Sequence, residues 1–81
     1  MQPKSYLMMH ELDATGLLCP LPVLKARKRL AALKPGERLR MRAADPAAII
    51  DVPHFCTQAG HTLVDASQDG DVQVYIIEKA G

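Results

Sequence analysis

The sequence predicts a two-layer α/β (α+β) sandwich with the order βαβαββ, in which two helices cover one face of a four-stranded mixed sheet. Three observations predict it. Apolar residues recur at helical spacing after Pro22, apolar and polar residues alternate strictly over 37–43, and the hairpin signal Asp69-Gly70 separates two strand-like segments. With 81 residues, the chain is expected to form a single domain over 1–81, with its core at about 7–79.

The first half of the chain contains a strand and a helix. Leu7–Asp13 is typical of a strand, and Ala14–Leu18 then forms a loop. A helix is predicted over Pro22–Lys34, and Pro35-Gly36 should end it. The apolar stripe of this helix is formed by Val23, Ala26, Leu30 and Leu33.

The next strand and helix follow the same order. Over Glu37–Ala43, the side chains Leu39, Met41 and Ala43 share one face and Arg38, Arg40 and Arg42 the other. Asp45 is expected to be the N-cap of a second helix that has Pro46 at its first position and runs to about Ala59. Pro53 predicts a kink or break in this helix, and Gly60 should end it.

Two further strands, His61–Ser67 and Val72–Lys79, complete the sheet. The hairpin between them makes this pair antiparallel. The first two strands are joined through a helix, so they are expected to be parallel neighbours or to be separated by another strand.

Composition gives weaker information about function. A net charge of +1 does not indicate a nucleic-acid or membrane partner, and no apolar run approaches the ~20 residues that span a bilayer. Met1–Met9 lacks the features of a signal peptide. Two cysteines in so small a domain favour a reducing, cytoplasmic location with free thiols. The three histidines lack metal-ligand spacing, and neither a metal nor a cofactor is expected.

Cys19 is the main candidate for chemistry. It stands in the run Leu18-Cys19-Pro20-Leu21-Pro22, at the entrance to the first predicted helix, where it should be exposed and rigidly held. The helix dipole favours a thiolate there, but the two prolines lack N–H donors, so we expect only a modest lowering of the thiol pKa. No histidine is adjacent in sequence to act as a base, which favours exchange with partner thiols over hydrolysis.

The stretch Leu12–Pro22 (LDATGLLCPLP) resembles the signature of the TusA/SirA-like sulfur carrier proteins. The similarity continues through Lys34–Glu37, Ala44–Ala47 and Asp51–Cys56, and covers about Leu12 to Lys79. The family's fold, a βαβαββ sandwich, agrees with the order of elements predicted above.

The resemblance implies a sulfurtransferase in which Cys19 carries sulfane sulfur as a persulfide. The sulfur would come from a cysteine desulfurase or another donor protein and pass to an acceptor protein. The family serves thiolation of the tRNA wobble uridine, molybdenum cofactor enzymes or sulfur oxidation. Asp13, Gly16, Pro20 and Pro22 would support the motif.

Several of these residues have simpler interpretations. Cys56, beside Phe55 in the second helix, is expected to pack in the core rather than to resolve Cys19. Asp13 and Asp45 are expected to cap turns or helices. Asp13 could also tune the approach to Cys19, but a carboxylate close to the thiol would raise its pKa. Gly16 is expected to supply a backbone angle that its loop needs.

Charged side chains provide the remaining candidates. Lys25, Arg27, Lys28 and Arg29 are either a solvated face or, together with Leu21, a docking surface for an acidic partner. Arg38, Arg40 and Arg42 could bind RNA, but the low net charge and 4% aromatic content argue against it. We expect a monomer with no direct contact to nucleic acid or membrane. The alternative to a carrier is a binding or regulatory module of the same fold.

Overall fold

A computed structural model describes residues 9–81, which form four strands and two helices. The strands are β1 (Met9–Ala14), β2 (Arg38–Ala43), β3 (Thr62–Asp69) and β4 (Val72–Glu78), and the helices are α1 (Leu21–Ala31) and α2 (Ala48–Ala59). The sheet has the order β1-β2-β4-β3. β1 pairs with β2 in parallel, and β4 is antiparallel to both β2 and β3. The predicted mixed sheet and α+β class are therefore confirmed.

The core lies between the sheet and the two helices. Alternate residues of β2 point inward, and Leu39, Met41 and Ala43 are fully buried. The helices contribute the buried side chains Ala26, Leu30, Ala48, Val52, Phe55 and Cys56. Full burial of a side chain such as Leu30 or Val52 stabilises the fold by about 1.5–3 kcal/mol. This packing holds both helices on one face of the sheet.

The ends of α1 differ from the prediction. The helix begins at Leu21, and Pro22 occupies its first turn, where a missing N–H is tolerated. It ends at Ala31 rather than at Lys34, because Ala32 and Leu33 donate to the carbonyls of Arg29 and Leu30 in tighter, three-residue turns. Strand β1 ends at Ala14, one residue later than predicted, and Leu7 and Met8 lie outside the described residues.

Helix α2 begins later than predicted. Ala47 is its N-cap, so the prediction that Asp45 caps the helix is wrong. Turns in which Ala48 and Ile49 donate to the carbonyls of Asp45 and Pro46 precede the helix. Pro53 lies inside one continuous helix, so of the predicted kink or break the structure excludes the break. Gly60 ends the helix at φ 80° as expected.

The last two strands form the predicted hairpin. Asp69 pairs with Val72, which leaves a two-residue loop of Gly70 and Asp71. Gly70 lies at φ 62°, in the left-handed region that glycine adopts without a steric penalty. In residues 9–81, no helix is both long enough and apolar enough to cross a membrane.

Candidate functional site

The parallel pairing of β1 and β2 brings two loops together. Both strands end at the same edge of the sheet, so the loop after β1 lies beside the loop after β2. The first loop carries Cys19 into helix α1, and the second carries Asp45 into helix α2. Cys19 therefore contacts Asp45 and Asp51, which follow it by 26 and 32 positions in the sequence.

The backbone of Cys19 is fixed by Asp45. The N–H of Cys19 donates to Oδ2 of Asp45, whose Oδ1 accepts from the N–H of Ala47 at 3.2 Å. The carbonyl of Asp45 accepts in turn from Nε2 of the buried Gln73 at 3.0 Å. The bond between Cys19 and Pro20 is cis. These contacts hold the cysteine loop against the start of α2.

The side chain of Cys19 is exposed, and its thiol contacts a second carboxylate. Sγ donates to Oδ2 of Asp51 at 3.1 Å. This hydrogen bond, the partial desolvation of the sulfur and the negative charges of Asp51 and Asp45 raise the pKa of the Cys19 thiol above its ordinary value. The prediction of a lowered thiol pKa is therefore wrong.

The dipole of α1 does not lower the pKa of the Cys19 thiol, and the reason is local. The N–H of Leu21, one of the donors that could have met a thiolate, donates instead to the carbonyl of Leu18 at 2.9 Å. The sulfur thus faces Asp51, in the first turn of α2, as its hydrogen-bond partner. A carboxylate at this distance favours the protonated thiol.

An open groove of about 270 Å³ lies beside the thiol, lined by residues of both α1 and α2. Arg27 closes one part of it, with its guanidinium carbon 5.4 Å from the centre of the Phe55 ring. The lining residues are Cys19, Pro20, Val23, Arg27, Asp51, His54, Phe55 and Gln58. The groove leaves room for a partner to approach the sulfur.

The family model of sulfurtransferase TusA matches residues 10–79. The chain belongs to this family. A crystal structure of a SirA-like protein from Desulfitobacterium hafniense superposes with a TM-score of 0.77 at 23% sequence identity, covering 90% of this chain and 99% of that one. This likeness shows a shared fold. The family is one of sulfur transfer, which agrees with the resemblance carried by Leu12–Pro22.

Two residues of the TusA-like motif play different parts in the structure. Asp13 accepts hydrogen bonds from the N–H and hydroxyl of Thr15 at 3.0 and 2.6 Å, which lower the pKa of Asp13, and so it forms the expected turn. Gly16 does not have a positive φ, and a Cβ built there meets no atom of residues 9–81 within 4 Å. The structure therefore does not support the prediction that Gly16 supplies a special backbone angle.

The basic residues of α1, expected to form either a solvated face or a docking surface, are divided between two places. Arg27 lines the groove beside Cys19. Lys25 and Lys28 instead line a separate cleft of about 260 Å³, together with Asp13 and Arg29. Leu21, the apolar member of the predicted surface, is exposed two residues from the thiol.

Cys56 packs in the core as predicted, with 2% of its surface exposed. Burial raises the pKa of its thiol, so it stays protonated and unreactive. Among residues 9–81, no cluster of three or more His, Cys, Asp or Glu side chains could hold a metal ion.

Two features of the site were missed from the sequence. Asp51, the partner of the thiol, was noted only as part of the family similarity. Exposed apolar side chains other than Leu21 also flank the site along the chain, namely Leu18, Leu24, Ile49 and Ile50. The acidic residues Asp45 and Asp51 at the start of α2 were the available signal, but using it required knowing that β1 and β2 are neighbours.

Proposed function

We propose that this protein is a sulfur carrier that accepts sulfane sulfur on Cys19 as a persulfide and relays it to a partner protein. The observation that carries the proposal is the exposed Cys19 thiol, held at the groove between α1 and α2 by contacts of its N–H and its Sγ. A thiol fixed in this way can enter a partner's active site with little loss of conformational entropy. Membership of the TusA family supports the same chemistry.

Loading requires no redox change. The Cys19 thiol first loses its proton to water. The thiolate then attacks the terminal sulfur of the donor's persulfide, so that a new S–S bond forms at Cys19. The donor's S–S bond breaks, and its electron pair returns to the donor cysteine, which takes up a proton. The reverse exchange with a thiolate of the acceptor delivers the sulfur.

We infer that the donor is a cysteine desulfurase or a similar persulfide protein. The acceptor belongs to tRNA thiolation, molybdenum cofactor maturation or sulfur oxidation. The single domain acts in the cytoplasm, as the two unpaired cysteines favour. Pro20 and Pro22 support the thiol by restricting the backbone around it.

Intact-mass spectrometry after incubation with a cysteine desulfurase and cysteine tests the proposal. We expect the wild-type mass to rise by one sulfur atom and to return to its starting value on reduction. Cys19→Ser should abolish the gain, while the matched variant Cys56→Ala should retain it because Cys56 is buried. A protein that gains no sulfur, or a Cys19→Ser variant that still gains it, would show the carrier role to be wrong and favour a binding module.

A further inference from the structure

The unloaded carrier holds its reactive atom in an unreactive state. Persulfide exchange needs the thiolate, yet the S–H of Cys19 keeps its proton and donates a hydrogen bond to Asp51, with an Sγ–Oδ2 distance of 3.1 Å. Sulfur therefore cannot be loaded efficiently until the influence of Asp51 is removed. Asp51 is only partly buried and lines the open groove, so a docked protein can reach it.

We propose that the contact between Cys19 and Asp51 is a latch, and that it opens when a partner protein places a lysine or arginine side chain against Asp51. Pairing with a cation would neutralise the carboxylate and compete for the oxygen that accepts the thiol proton. The proton of Sγ then passes to water, and the thiolate forms while the persulfide of the docked donor lies beside it. This inference rests on the proposed function, and it adds that the partner carries a positive charge where it contacts Asp51.

The other charged groups at the site favour the same partner. Asp45, from the loop after β2, adds a second negative charge that raises the pKa of the thiol. Arg27 on α1 and His54 on α2 line the groove, but Arg27 lies over the ring of Phe55. The two carboxylates therefore lie close to the sulfur, and a cationic group complements them better than the acidic partner considered as one alternative for Lys25 and Lys28.

Alkylation of Cys19 by iodoacetamide tests the latch without any partner. We expect Asp51→Asn to react faster than the wild type at pH 7.5. In a pH series, the alkylation rate of Asp51→Asn should begin to increase at a lower pH than that of the wild type. Asp51→Ser should behave in the same way and guards against a folding defect specific to asparagine. The matched control Asp65→Asn makes the same change of charge on the exposed edge strand β3 and should react like the wild type. Rate profiles that superpose for wild type and Asp51→Asn would overturn the proposal.

Two thiol reagents of similar size and opposite charge test the preference for a cation. We expect 2-aminoethyl methanethiosulfonate to modify Cys19 up to about 30-fold faster than 2-sulfonatoethyl methanethiosulfonate, relative to free cysteine. The two reagents differ by two unit charges, and each unit charge at about 4 Å in water changes the rate about fivefold. The preference should shrink in Asp51→Asn and persist in Asp65→Asn. A ratio unaffected by Asp51→Asn would contradict the role of this carboxylate.

Loading by a cysteine desulfurase tests the partner directly. We expect Asp51→Asn to need a higher desulfurase concentration for half-maximal loading, although its free thiol is more reactive, because the partner's cation loses its carboxylate. An unchanged half-maximal concentration would overturn the proposed pairing. If the wild type gains no sulfur, the proposed function is wrong. The alkylation and methanethiosulfonate experiments would still test whether Asp51 controls the reactivity of Cys19.

Discussion

Cys19 forms two hydrogen bonds with two carboxylates, and they have opposite consequences. The bond from its N–H to Asp45 fixes where the sulfur stands, which helps any partner that must find it. The bond from its Sγ to Asp51 keeps the sulfur protonated, which slows every reaction that needs a thiolate. Position and reactivity are thus set by different side chains, and a substitution can change one without the other.

His61 gives the protein a dependence on pH at the level of one residue. Its Nδ1 accepts from the N–H of Ala80 at 3.0 Å, so the ring must be neutral on that side. Burial and the charge of Lys79 lower the pKa of His61 in the folded protein. The unfolded chain therefore binds the proton more readily, and stability present above the ordinary histidine pKa is lost as pH falls through the lower, folded value.

We expect the free energy of unfolding to fall between pH 7.5 and pH 5.5. Loss of this hydrogen bond corresponds to about 0.5–1.5 kcal/mol. Urea denaturation at the two pH values measures it, and His61→Ala should remove that part of the pH dependence. His54→Ala, which deletes an exposed histidine, should keep it. Equal pH dependence in wild type and His61→Ala would refute this role.

At the scale of elements, strand β4 supports the cysteine loop from the core. Gln73 is 4% exposed and donates to the carbonyl of Asp45, while its Oε1 accepts from the hydroxyl of Tyr75 at 2.8 Å. A buried polar side chain with both ends paired links the sheet to the loop that holds Cys19. Removing it leaves the buried hydroxyl of Tyr75 without its partner and leaves the carbonyl of Asp45 with only the N–H of Ala48 as a donor.

We expect Gln73→Leu to lower the free energy of unfolding by about 1–3 kcal/mol, the cost of leaving the buried Tyr75 hydroxyl unsatisfied. The backbone N–H of Cys19 should also exchange with solvent faster, because the carboxylate of Asp45 is less well fixed. Urea denaturation and amide exchange followed by NMR measure the two effects. Gln68→Leu is the control, since Gln68 is exposed on β3. If Gln73→Leu matched Gln68→Leu in both measurements, the link would be absent.

Local patterns predicted the elements but not all of their ends. Alternation over 37–43 and the stripe of α1 depend on residues close in sequence, and both elements form, although α1 ends at Ala31 rather than at Lys34. The start of α2 depended on where the carboxylate of Asp45 points. That side chain accepts from Cys19, 26 positions away, and local propensity cannot anticipate such a contact.

At the scale of the whole molecule, the sheet face opposite the helices carries charges of both signs. Arg40 lies beside Glu11, and Arg42 beside Asp13, on neighbouring strands. Arg38 forms an ion pair with Glu78 at 3.1 Å. The row of arginines on β2 is therefore bordered by carboxylates, which reduces its attraction for phosphate.

We expect no binding of RNA at physiological salt. Filter binding with labelled tRNA should give the same background for the wild type and for a variant with Arg38, Arg40 and Arg42 replaced by Gln. The Lys25→Gln and Lys28→Gln variants, which remove positive charge from the separate basic cleft, control for binding there. Affinity for RNA that disappears only in the arginine variant would establish the arginine face as a binding site.

The site as a whole follows from topology. Cys19 could be identified from its position before α1 and from the family resemblance. Its partners could not, because Asp45 and Asp51 reach it only through the adjacency of β1 and β2. Periodicity left open whether these strands were neighbours, so the sequence could provide the thiol but not its surroundings.

The protonated thiol has a consequence for the lifetime of the unloaded protein. Oxidation of cysteine to sulfenic acid and beyond proceeds through the thiolate, so the hydrogen bond to Asp51 also slows damage by peroxide. Cys56 is buried and gives an oxidised Cys19 no accessible thiol with which to form a protective disulfide. The exposed sulfur of Cys19 has no such protection, and it survives between contacts with partner proteins because the carboxylate of Asp51 keeps it in the less reactive thiol form.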